Sequence, residues 1–457
     1  MHQSLIFREY DIRGVVDKDF DHEFAYLLAR AHARYLQKYS RSSELKVSLG
    51  HDARLSSPKL YESAIQGYVD SGVFVYKLGL ITSPLSYFST FHIPQLDGAI
   101  MITGSHNPPD YNGFKISVGQ STIFGSQIQE LRNLIERKDF APISYAKGGT
   151  IDYDIFTPYV QRYQAEFPQM SSVRVVLDCG NGASGVIARR LYQACGMTPY
   201  LLFEDPDGRF PNHHPDPTVE KNMDALKKTV LDQKADLGIG FDGDADRIGV
   251  IDNLGNFVLG DELMMILAQD ILKKNAGAKI IGDVKCSDKL YDLVAHWGGQ
   301  PIMWKTGHSL IKQKIKSEKA PFGGEMSGHI FFNDRNYGYD DALYAGLRLC
   351  EILYHTQKSL SDLLQQLPRT YHTPEIRIDT TEEKKVAIVQ ELINYFSQRK
   401  DLKTNLLDGI RVSYPDGWGL ARASNTQPVL VLRFEAHSPE RLKTIQDEFY
   451  RVVEPLL

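Results

Sequence analysis

Short apolar runs along the chain end in glycine or small polar residues, and a stretch with amphipathic helical spacing follows each of them. Runs at residues 47–49, 173–177 and 280–281 have this form. A strand, a polar turn and a helix in this order form the unit of a parallel sheet with helices on its faces. The pattern therefore predicts an α/β fold built on mixed, mainly parallel sheets.

A second apolar run follows each of these units and leads into a polar loop that contains glycine. The loops begin at Thr103, Asp242 and Gly323. Ligands of open α/β sheets bind outside the carboxyl ends of the strands, so three such loops can meet at one place. We therefore expect three similar α/β domains with their loops around a central cleft.

Beyond Pro368 the pattern changes to strands and long helices that follow a different order. This change indicates a smaller C-terminal α+β domain, which makes four domains in all. Its predicted elements are strands at 375–378, 406–412 and 429–434 and helices at 382–399 and 439–453. The predicted domains are residues 1–150, 151–254, 255–368 and 369–457.

Composition excludes several classes of protein. Hydrophobic residues make up 42% of the 457 residues and charged residues 24%, which is typical of a folded protein. The formal charge of −5 lacks the basic excess of a nucleic-acid or membrane-surface binder. We expect a soluble cytoplasmic protein, because no signal or membrane-spanning segment is evident and the cysteines form no CxxC pair. The cysteines are Cys179, Cys195, Cys286 and Cys350.

The first polar loop, from Thr103 to Lys115, presents Ser105 beside His106, and two prolines follow them. A serine next to a histidine raises the possibility of a hydrolase nucleophile. No Gly-x-Ser-x-Gly elbow surrounds this serine, however, and an ordinary polar turn is the other interpretation. This segment alone leaves both interpretations open.

The second loop alternates Asp242, Asp244 and Asp246, so an extended segment would project three carboxylates to one side. Such hard oxygen ligands favour Mg²⁺ or Ca²⁺ over zinc. An EF-hand is excluded, because Arg247 and Asn253 stand where its loop requires glycine and glutamate. A divalent-cation site and a solvated acidic turn are the two remaining interpretations.

Two further loops carry groups suited to a phosphorylated sugar, although each also fits an ordinary turn. Glu325, Ser327 and His329 alternate in the third loop, and they suit polyol recognition and proton transfer. A loop in the C-terminal domain combines an arginine, hydroxyls and an amide, which together suit a phosphate group. Its residues are Arg422, Ser424, Asn425 and Thr426.

Taken together and in this order, the four loops closely resemble those of the α-D-phosphohexomutase superfamily, and within it the bacterial phosphomannomutase/phosphoglucomutase group. The resemblance extends over the whole chain as a phosphoserine loop, a metal loop, a sugar loop and a phosphate loop. The segments at 6–14 and 304–308 also match the signatures of this family. The ordered set is much more specific than any single loop.

The resemblance implies an isomerase that interconverts hexose 1-phosphates and 6-phosphates of mannose and glucose. Ser105 would carry the phosphoryl group, and a hexose 1,6-bisphosphate would be the intermediate and activator. Mg²⁺ would be bound by Ser105, Asp242, Asp244 and Asp246. The implied catalytic residues besides Ser105 are His106, Lys115, Arg13, Arg247 and His329. The implied substrate ligands are Tyr10, Lys285, His308, Glu325, Ser327, Arg422, Ser424, Asn425, Thr426 and Arg433.

The sum of charges at such a site indicates that cationic side chains are needed beside the metal ion. Three aspartates contribute about −3 and a phosphoserine adds roughly −1.5 to −2. One Mg²⁺ leaves the cluster at about −3, and like charges near 4 Å repel by roughly 4 kcal/mol at an effective dielectric of about 20. Arg13, Lys115 and Arg247 are the candidates to offset this charge on the transferring phosphoryl group. Lys115 and His329, supported by His106, are the candidates for proton transfer.

The choice of sugar rests on two residues of these loops. Met326 is similar to the phosphomannomutase/phosphoglucomutase group, whereas Ala245 is shared with phosphoglucosamine mutases. We give Met326 more weight, because its loop contacts the sugar in this family. Phosphoglucosamine mutase and a catalytically silent sugar-phosphate-binding protein remain the alternatives. The expected partners are small sugar phosphates, without nucleic acid or membrane, and a monomer is expected.

Overall fold

A computed structural model describes residues 6–40, 42, 44–143, 148–424 and 427–457. Two of the predicted phosphate ligands, Asn425 and Thr426, lie outside the described residues. The chain forms two compact units. The first unit comprises residues 1–263 and 327–363, and the second comprises residues 264–326 and 364–457.

The strands of the first unit belong mainly to two sheets. Their bounds are β1 Ile12–Val15, β2 Lys46–His51, β3 Phe74–Leu80, β4 Gly98–Ile102, β5 Tyr111–Val118, β6 Ser121–Thr122, β7 Gly149–Asp152, β8 Val175–Asp178, β9 Tyr200–Leu202, β10 Leu237–Phe241, β11 Ile248–Asp252 and β12 Phe257–Val258. The later strands are β13 Lys279–Asp283, β14 Gln300–Trp304, β15 Phe322–Gly324, β16 Ile330–Phe332, β17 Tyr371–His372, β18 Ile376–Asp379, β19 Lys403–Asn405, β20 Ile410–Tyr414, β21 Gly417–Ala423 and β22 Val429–Ala436.

Helices follow most of the parallel strands. Their bounds are α1 His22–Tyr39, α2 Ser57–Asp70, α3 Ser83–His92, α4 Ser126–Glu136, α5 Phe156–Glu166, α6 Ala188–Ala194, α7 Asp224–Gln233, α8 Gly260–Lys274, α9 Asp288–His296, α10 His308–Glu318, α11 Ala342–Thr356, α12 Leu360–Gln365, α13 Glu382–Ser397 and α14 Pro439–Val453. Among the helices of the described residues, none is both long enough and apolar enough to cross a lipid bilayer.

Polar side chains determine where several of these helices begin. The hydroxyl oxygen of Thr82 accepts a hydrogen bond from the Leu85 amide at the start of α3. The carboxylate of Asp341 does the same for the Tyr344 amide at α11, at 2.9 Å. Such caps satisfy amides that would otherwise lack a partner in the first helical turn. They fix the chain just beyond the strands, where the polar loops lie.

The sheets are mixed, with a parallel centre and an antiparallel edge. In the first sheet β2 pairs in parallel with β3 and β4, and β5 then adds to β4 in antiparallel fashion. The second sheet repeats this arrangement, since β10 is parallel to β8 and antiparallel to β11. In the second unit β13 is parallel to both β14 and β15. The predicted α/β class with mixed, mainly parallel sheets is confirmed.

The sheet of the C-terminal region is antiparallel, in the order β17–β22–β21–β20–β19, with β18 also on β22. Helices α13 and α14 pack against it around Leu392, Phe434 and Phe449, which are buried. The predicted single strand at 406–412 is wrong, because the chain turns between β19 and β20. Gly409 has φ +77° in that turn, and the Asn405 side chain accepts a hydrogen bond from the Leu407 amide at 2.9 Å.

Candidate active site

Ser105 lies in the loop between β4 and β5, and its backbone has the left-handed value φ +48°. Its amide donates to Thr103 Oγ1 at 2.8 Å, and its own Oγ donates to Asp242 Oδ2 at 2.8 Å. His106 Nδ1 is 3.2 Å from the same Oγ. A left-handed serine is uncommon and costs conformational energy, so the surrounding contacts must hold it. The loop therefore aims one hydroxyl at the aspartate cluster.

The three aspartates converge by a different route from the one expected. Asp242, Asp244 and Asp246 occupy a tight turn between β10 and β11 rather than an extended segment, so the predicted alternation along a strand is wrong. Ala245 has φ +60° within the turn, and its amide donates to the Asp242 carbonyl at 3.1 Å. The turn brings carboxylate oxygens of all three aspartates to within 4.8 Å of one another.

The aspartate cluster has donor atoms left for a metal ion. Asp244 Oδ1 and Asp246 Oδ1 are buried and accept no hydrogen bond from the described residues. A buried carboxylate oxygen without a partner is unfavourable, and a hard divalent cation would satisfy it. Asp242 presents its Oδ2 to the Ser105 hydroxyl on the same cluster. The donor set is thus all oxygen and fits Mg²⁺.

Lys115 is the cation that the cluster already contains. It lies on β5, and its Nζ donates to Asp244 Oδ2 at 2.6 Å and also to Asp246 Oδ2. Burial opposes its charge, but the two carboxylates outweigh burial and raise the pKa of Lys115 well above its ordinary value. Burial and the charges of Asp244 and Asp246 raise the pKa of Asp242 well above its ordinary value. One ammonium group therefore does not neutralise three buried carboxylates.

His329 is held between a guanidinium and a carboxylate. Arg247 Nε donates to His329 Nε2 at 2.9 Å, and Asp340 Oδ2 is 3.0 Å from His329 Nδ1. An arginine N–H can only donate, so Nε2 must carry a lone pair and Nδ1 the hydrogen. His329 therefore presents a proton-accepting Nε2, which is in contact with Arg247.

Arg13 and Tyr10 lie near the beginning of the first unit. Arg13 is on β1 and is ion-paired with Asp11, and Tyr10 is buried.

Burial, together with the positive charges of Arg247 and Arg13, lowers the pKa of His106 well below its ordinary value. The imidazole beside Ser105 is therefore neutral and adds no charge to the site.

The residues predicted to contact the sugar include three in the second unit. Glu325 is buried and its Oε1 accepts a hydrogen bond from the Gly307 amide at 2.5 Å. His308 follows as the first residue of α10 and is also buried. Lys285 Nζ donates to Glu375 Oε2 at 3.0 Å. The third loop forms a turn at residues 326–328, between Glu325 and His329.

The predicted phosphate ligands of the second unit have protein partners of their own. Arg422 Nε donates to Asp408 Oδ2 at 3.1 Å, and the Thr306 amide donates to the same oxygen at 3.0 Å. Ser424 is buried, and Arg433 is buried with Nη1 donating to the Lys285 carbonyl. The contact of Arg433 is with backbone, and its role as a phosphate ligand stays a prediction.

Comparison with known proteins finds matches along nearly the entire chain. Four models of phosphoglucomutase/phosphomannomutase match in order: alpha/beta/alpha domain I at residues 4–142, domain II at 157–255, domain III at 259–371 and the C-terminal domain at 375–452. A phosphomannomutase/phosphoglucomutase of Pseudomonas aeruginosa is 45% identical over 446 residues, which are 98% of this chain and 95% of that protein. The chain belongs to the phosphoglucomutase/phosphomannomutase family.

Other relatives support the same family. A phosphoglucomutase of Neisseria meningitidis is 42% identical over 451 residues, which are 98% of this chain and 96% of that protein. A crystal structure of a phosphoglucomutase/phosphomannomutase family protein from Burkholderia thailandensis is 40% identical, has a TM-score of 0.92, and is aligned over 100% of this chain and 98% of that one. The recognition of the family from the sequence is thus confirmed.

Sequence reasoning missed several residues that shape this family's loops here. Ser83 Oγ donates to Asp244 Oδ2 at 2.6 Å, and Asp340 faces His329. Arg54 donates to carbonyl oxygens of the Ser105 loop. Ser83 could have been suspected, because it follows a parallel strand of the sheet that carries Ser105. Arg54 and Asp340 carried no local signal, since their importance lies in contacts that only the folded chain shows.

Proposed function

We propose that this protein is a hexose-phosphate mutase that transfers phosphoryl groups through Ser105 and acts on both mannose and glucose phosphates. The observation that carries this proposal is the Ser105 hydroxyl, held at 2.8 Å from a buried aspartate cluster that contains Lys115. A nucleophile, a metal-binding set of carboxylates and a buried cation are the parts that phosphoryl transfer requires.

Ser105 would carry the phosphoryl group in the resting enzyme. Transfer to the substrate breaks the bond between phosphorus and Ser105 Oγ, and a new bond forms to the attacking sugar hydroxyl. The proton of that hydroxyl needs an acceptor, and His329 Nε2 has the required lone pair once Arg247 turns to the phosphoryl group. Lys115 and Arg247 would stabilise the negative charge that spreads over the phosphoryl oxygens. The reverse transfer returns the other phosphate of the bisphosphate to Ser105.

The metal site would be completed by Asp242, Asp244, Asp246 and an oxygen of phosphorylated Ser105. Mg²⁺ bound there would offset the charge of the phosphoryl group and of the carboxylates. The two buried oxygens without hydrogen bonds, on Asp244 and Asp246, support this assignment. Ser83 and Lys115 occupy the other oxygen of Asp244, and this leaves Oδ1 for a metal ion.

The substrate would be recognised through its hydroxyls and through the phosphate that does not react. Glu325 and Ser327 suit two neighbouring hydroxyls, and Glu325 can accept two hydrogen bonds. Lys285, His308, Arg422 and Ser424 suit the phosphate and the sugar around it. Relatives of this chain are named as acting on mannose and glucose phosphates, which supports dual specificity.

A coupled assay of the purified protein tests this proposal directly. With Mg²⁺ and a catalytic amount of the 1,6-bisphosphate, we expect turnover of mannose 1-phosphate and glucose 1-phosphate. Intact-mass spectra should show a species heavier by about 80 Da, the mass of one phosphoryl group, which disappears in Ser105→Ala. Absence of turnover on every sugar would leave a silent binding protein of this fold. A preference for glucosamine phosphate would favour the phosphoglucosamine mutase alternative.

The glucosamine alternative arose from one residue of the turn that holds the three aspartates. Ala245, which raised it, is buried within the metal turn between Asp244 and Asp246. A residue in that place affects the shape of the metal turn rather than a sugar hydroxyl. Cytoplasmic location and a monomeric state remain predictions from the sequence.

A further inference from the structure

One buried guanidinium donates hydrogen bonds to several backbone carbonyls of the Ser105 loop. Arg54 lies in the turn between β2 and α2 and is 1% exposed. Its Nη2 donates to the carbonyl oxygens of Ser105 at 2.8 Å and Asn107 at 2.6 Å. Its Nη1 donates to the carbonyl of Tyr111 at 2.9 Å and also to that of Pro108. Three carbonyls of the loop and that of the first residue of β5 therefore converge on one side chain.

Asp52 completes the arrangement on the amide side of the loop. Its Oδ2 is 3.2 Å from Arg54 Nε and accepts a hydrogen bond from the Gly104 amide, also at 3.2 Å. Its Oδ1 accepts from the Arg54 amide at 3.0 Å and from Ser57 Oγ at 2.6 Å. The Asp52–Arg54 pair thus contacts both donors and acceptors of the backbone that flanks Ser105.

Only an arginine suits this position. The guanidinium offers five N–H groups in one rigid plane, whereas a lysine ammonium offers three donors on a single atom. The backbone also approaches it closely, since a Cβ added to Gly104 would overlap the Arg54 guanidinium. The ring of Phe210 lies 5.3 Å from the guanidinium carbon and shields it further.

Ser105 needs such a support because its backbone is in the left-handed region at φ +48°. A residue other than glycine in that region costs on the order of 1 kcal/mol or more and persists only where its surroundings enforce it. The proposed reaction also adds and removes a charge of about −1.5 to −2 at this residue in every cycle. The hydrogen bond from Arg54 to the Ser105 carbonyl holds the backbone of the residue whose charge changes.

We propose that Arg54, paired with Asp52, is a positioning residue for phosphoryl transfer, which holds Ser105 in its left-handed conformation with Oγ directed at the metal cluster. This inference rests on the proposed function of Ser105. Arg54 touches neither substrate nor metal in this assignment, and it acts only through the loop. A buried ion pair that merely stabilises the first unit is the rival explanation.

The test compares Arg54→Lys with a matched control, Arg348→Lys. Arg348 is also buried in the first unit, where its Nη1 donates to Asp334 at 2.9 Å, far in sequence from the Ser105 loop. Steady-state kinetics on glucose 1-phosphate and thermal unfolding would be measured for both variants. Hydrogen exchange of the peptide that covers residues 103–111 provides a readout that does not depend on activity.

We expect both variants to fold with a lowered Tm. Arg54→Lys should lower kcat by about 10- to 100-fold with KM within about twofold, because misplacing a reacting group by about 1 Å can cost a hundredfold. Its 103–111 peptide should exchange faster than in the wild type. Arg348→Lys should leave both kcat and the exchange of that peptide near the wild-type values.

Two results would overturn the inference. One is a kcat of Arg54→Lys that equals that of Arg348→Lys, and the other is unchanged exchange of the 103–111 peptide in a folded Arg54→Lys. If Arg54→Lys does not fold, Asp52→Asn serves instead, and it should lower kcat and speed exchange in the same direction. A wild-type protein without mutase activity would refute the proposed function, and hydrogen exchange alone would then decide whether Arg54 holds the loop.

Discussion

The charged side chains around Ser105 and those around Lys285 are neutralised in different ways. In the first unit three aspartates share one ammonium group, that of Lys115, and two carboxylate oxygens accept no hydrogen bond from the described residues. In the second unit two of the predicted ligand cations, Lys285 and Arg422, are each paired with a carboxylate. Lys285 pairs with Glu375 at 3.0 Å, and Arg422 pairs with Asp408 at 3.1 Å.

The difference teaches what each region needs from its ligands. An excess of buried negative charge favours an added cation, which supports the proposal that the first region would hold a metal ion beside Ser105. A cation that is paired with a carboxylate can take a substrate phosphate in its place, so the cation is paired both with and without substrate. The second region therefore suits reversible recognition. Changes in the first region should therefore reduce turnover, and changes in the second should alter recognition.

The largest effect is expected from Ser105→Ala. Loss of the proposed phosphate carrier should lower kcat on the order of 1,000-fold or more, as removal of a catalytic nucleophile does elsewhere. Ser48→Ala is the control, since Ser48 is also buried in the first unit, and its Oγ contacts Ser89 Oγ at 2.7 Å. Multiple-turnover rates with Mg²⁺ and the bisphosphate present are the measurement. Near-normal turnover by Ser105→Ala would contradict the role of the first region.

The second prediction concerns the excess negative charge. Asp244→Asn should lower turnover on the order of 100-fold at limiting Mg²⁺, because the metal supplies several kcal/mol of charge stabilisation in such reactions. Rate against Mg²⁺ concentration is the measurement, and treatment with EDTA should abolish wild-type activity. Asp252→Asn is the control, since the buried Asp252 carboxylate accepts hydrogen bonds from the Leu254 amide and from the amide and side chain of Asn256.

An unchanged Mg²⁺ dependence in Asp244→Asn would show that the carboxylates are structural. The same experiment compares the two regions, because the Asp252 control should leave both kcat and the Mg²⁺ optimum at wild-type values. A general fall in activity in both variants would indicate lost stability rather than a lost metal ligand.

The sequence was sufficient to predict the loops but not their geometry. Ser105, Asp242 and Glu325 stand in short glycine-containing segments after strands, and such segments are recognisable without tertiary contacts. The extended conformation expected for Asp242–Asp246 was wrong, because alternation describes a strand, whereas the left-handed Ala245 bends this segment into a turn. Only the folded chain shows that bend.

Residues that support the site from elsewhere were missed for a related reason. Arg54 is a lone arginine in a turn, and Asp340 is one of two adjacent aspartates before a helix. Neither has a spacing that distinguishes it from a surface residue. Their roles follow from side-chain contacts with other segments of the chain. Arg54, for example, donates a hydrogen bond to the carbonyl of Ser105, which is 51 residues further along the sequence. Hydrophobic and polar patterning does not encode such pairings residue by residue.

The third prediction tests recognition in the second region. Glu325→Ala should lower kcat/KM for mannose 1-phosphate and glucose 1-phosphate by similar factors. The expected loss is roughly 1.5–3 kcal/mol, the value of hydrogen bonds to a charged group, or about 10- to 150-fold. The two sugars differ only at C2. The family resemblance implies that Glu325 contacts the O3 and O4 hydroxyls, so neither sugar should be favoured.

The control for this prediction is Glu318→Ala, which removes a carboxylate of the second unit that pairs only with Lys279 and Lys314 among the described residues. It should leave the kcat/KM of both sugars near the wild-type value. A loss confined to one sugar in Glu325→Ala would show that Glu325 reads the C2 position, and the argument for dual specificity would fail.

The smallest effects concern stability, and they have opposite signs in the two units. Burial raises the pKa of Asp341 in the first unit to about 7, against hydrogen bonds from Tyr344 and Tyr159 that lower it. In the second unit, burial opposes the charge of Glu375, but Lys285 outweighs burial and lowers the pKa of this carboxyl to about 2. One carboxyl therefore favours its neutral form in the folded state and the other its charged form.

These shifts fix the direction of the pH dependence. The neutral form of Asp341 stabilises the folded state in full below about pH 4, the ordinary range of an aspartate, and this stabilisation is lost as the pH rises to about 7. The carboxylate of Glu375 stabilises the folded state above its ordinary pKa of 4.5, and that contribution is lost as the pH falls towards 2. Asp341→Asn and Glu375→Gln remove these dependences one at a time.

We therefore expect Asp341→Asn to gain stability relative to the wild type as the pH rises from 4 to 8. Glu375→Gln should lose stability relative to the wild type as the pH rises from 2.5 to 5, by a smaller amount because Glu375 is partly exposed. Denaturant unfolding of each variant across pH is the measurement. If both differences had the same sign, the carboxyls would share one environment, and the contrast between the two units would not hold. Differences of opposite sign would show that the two units differ in the environment of a carboxyl outside the reacting groups as well.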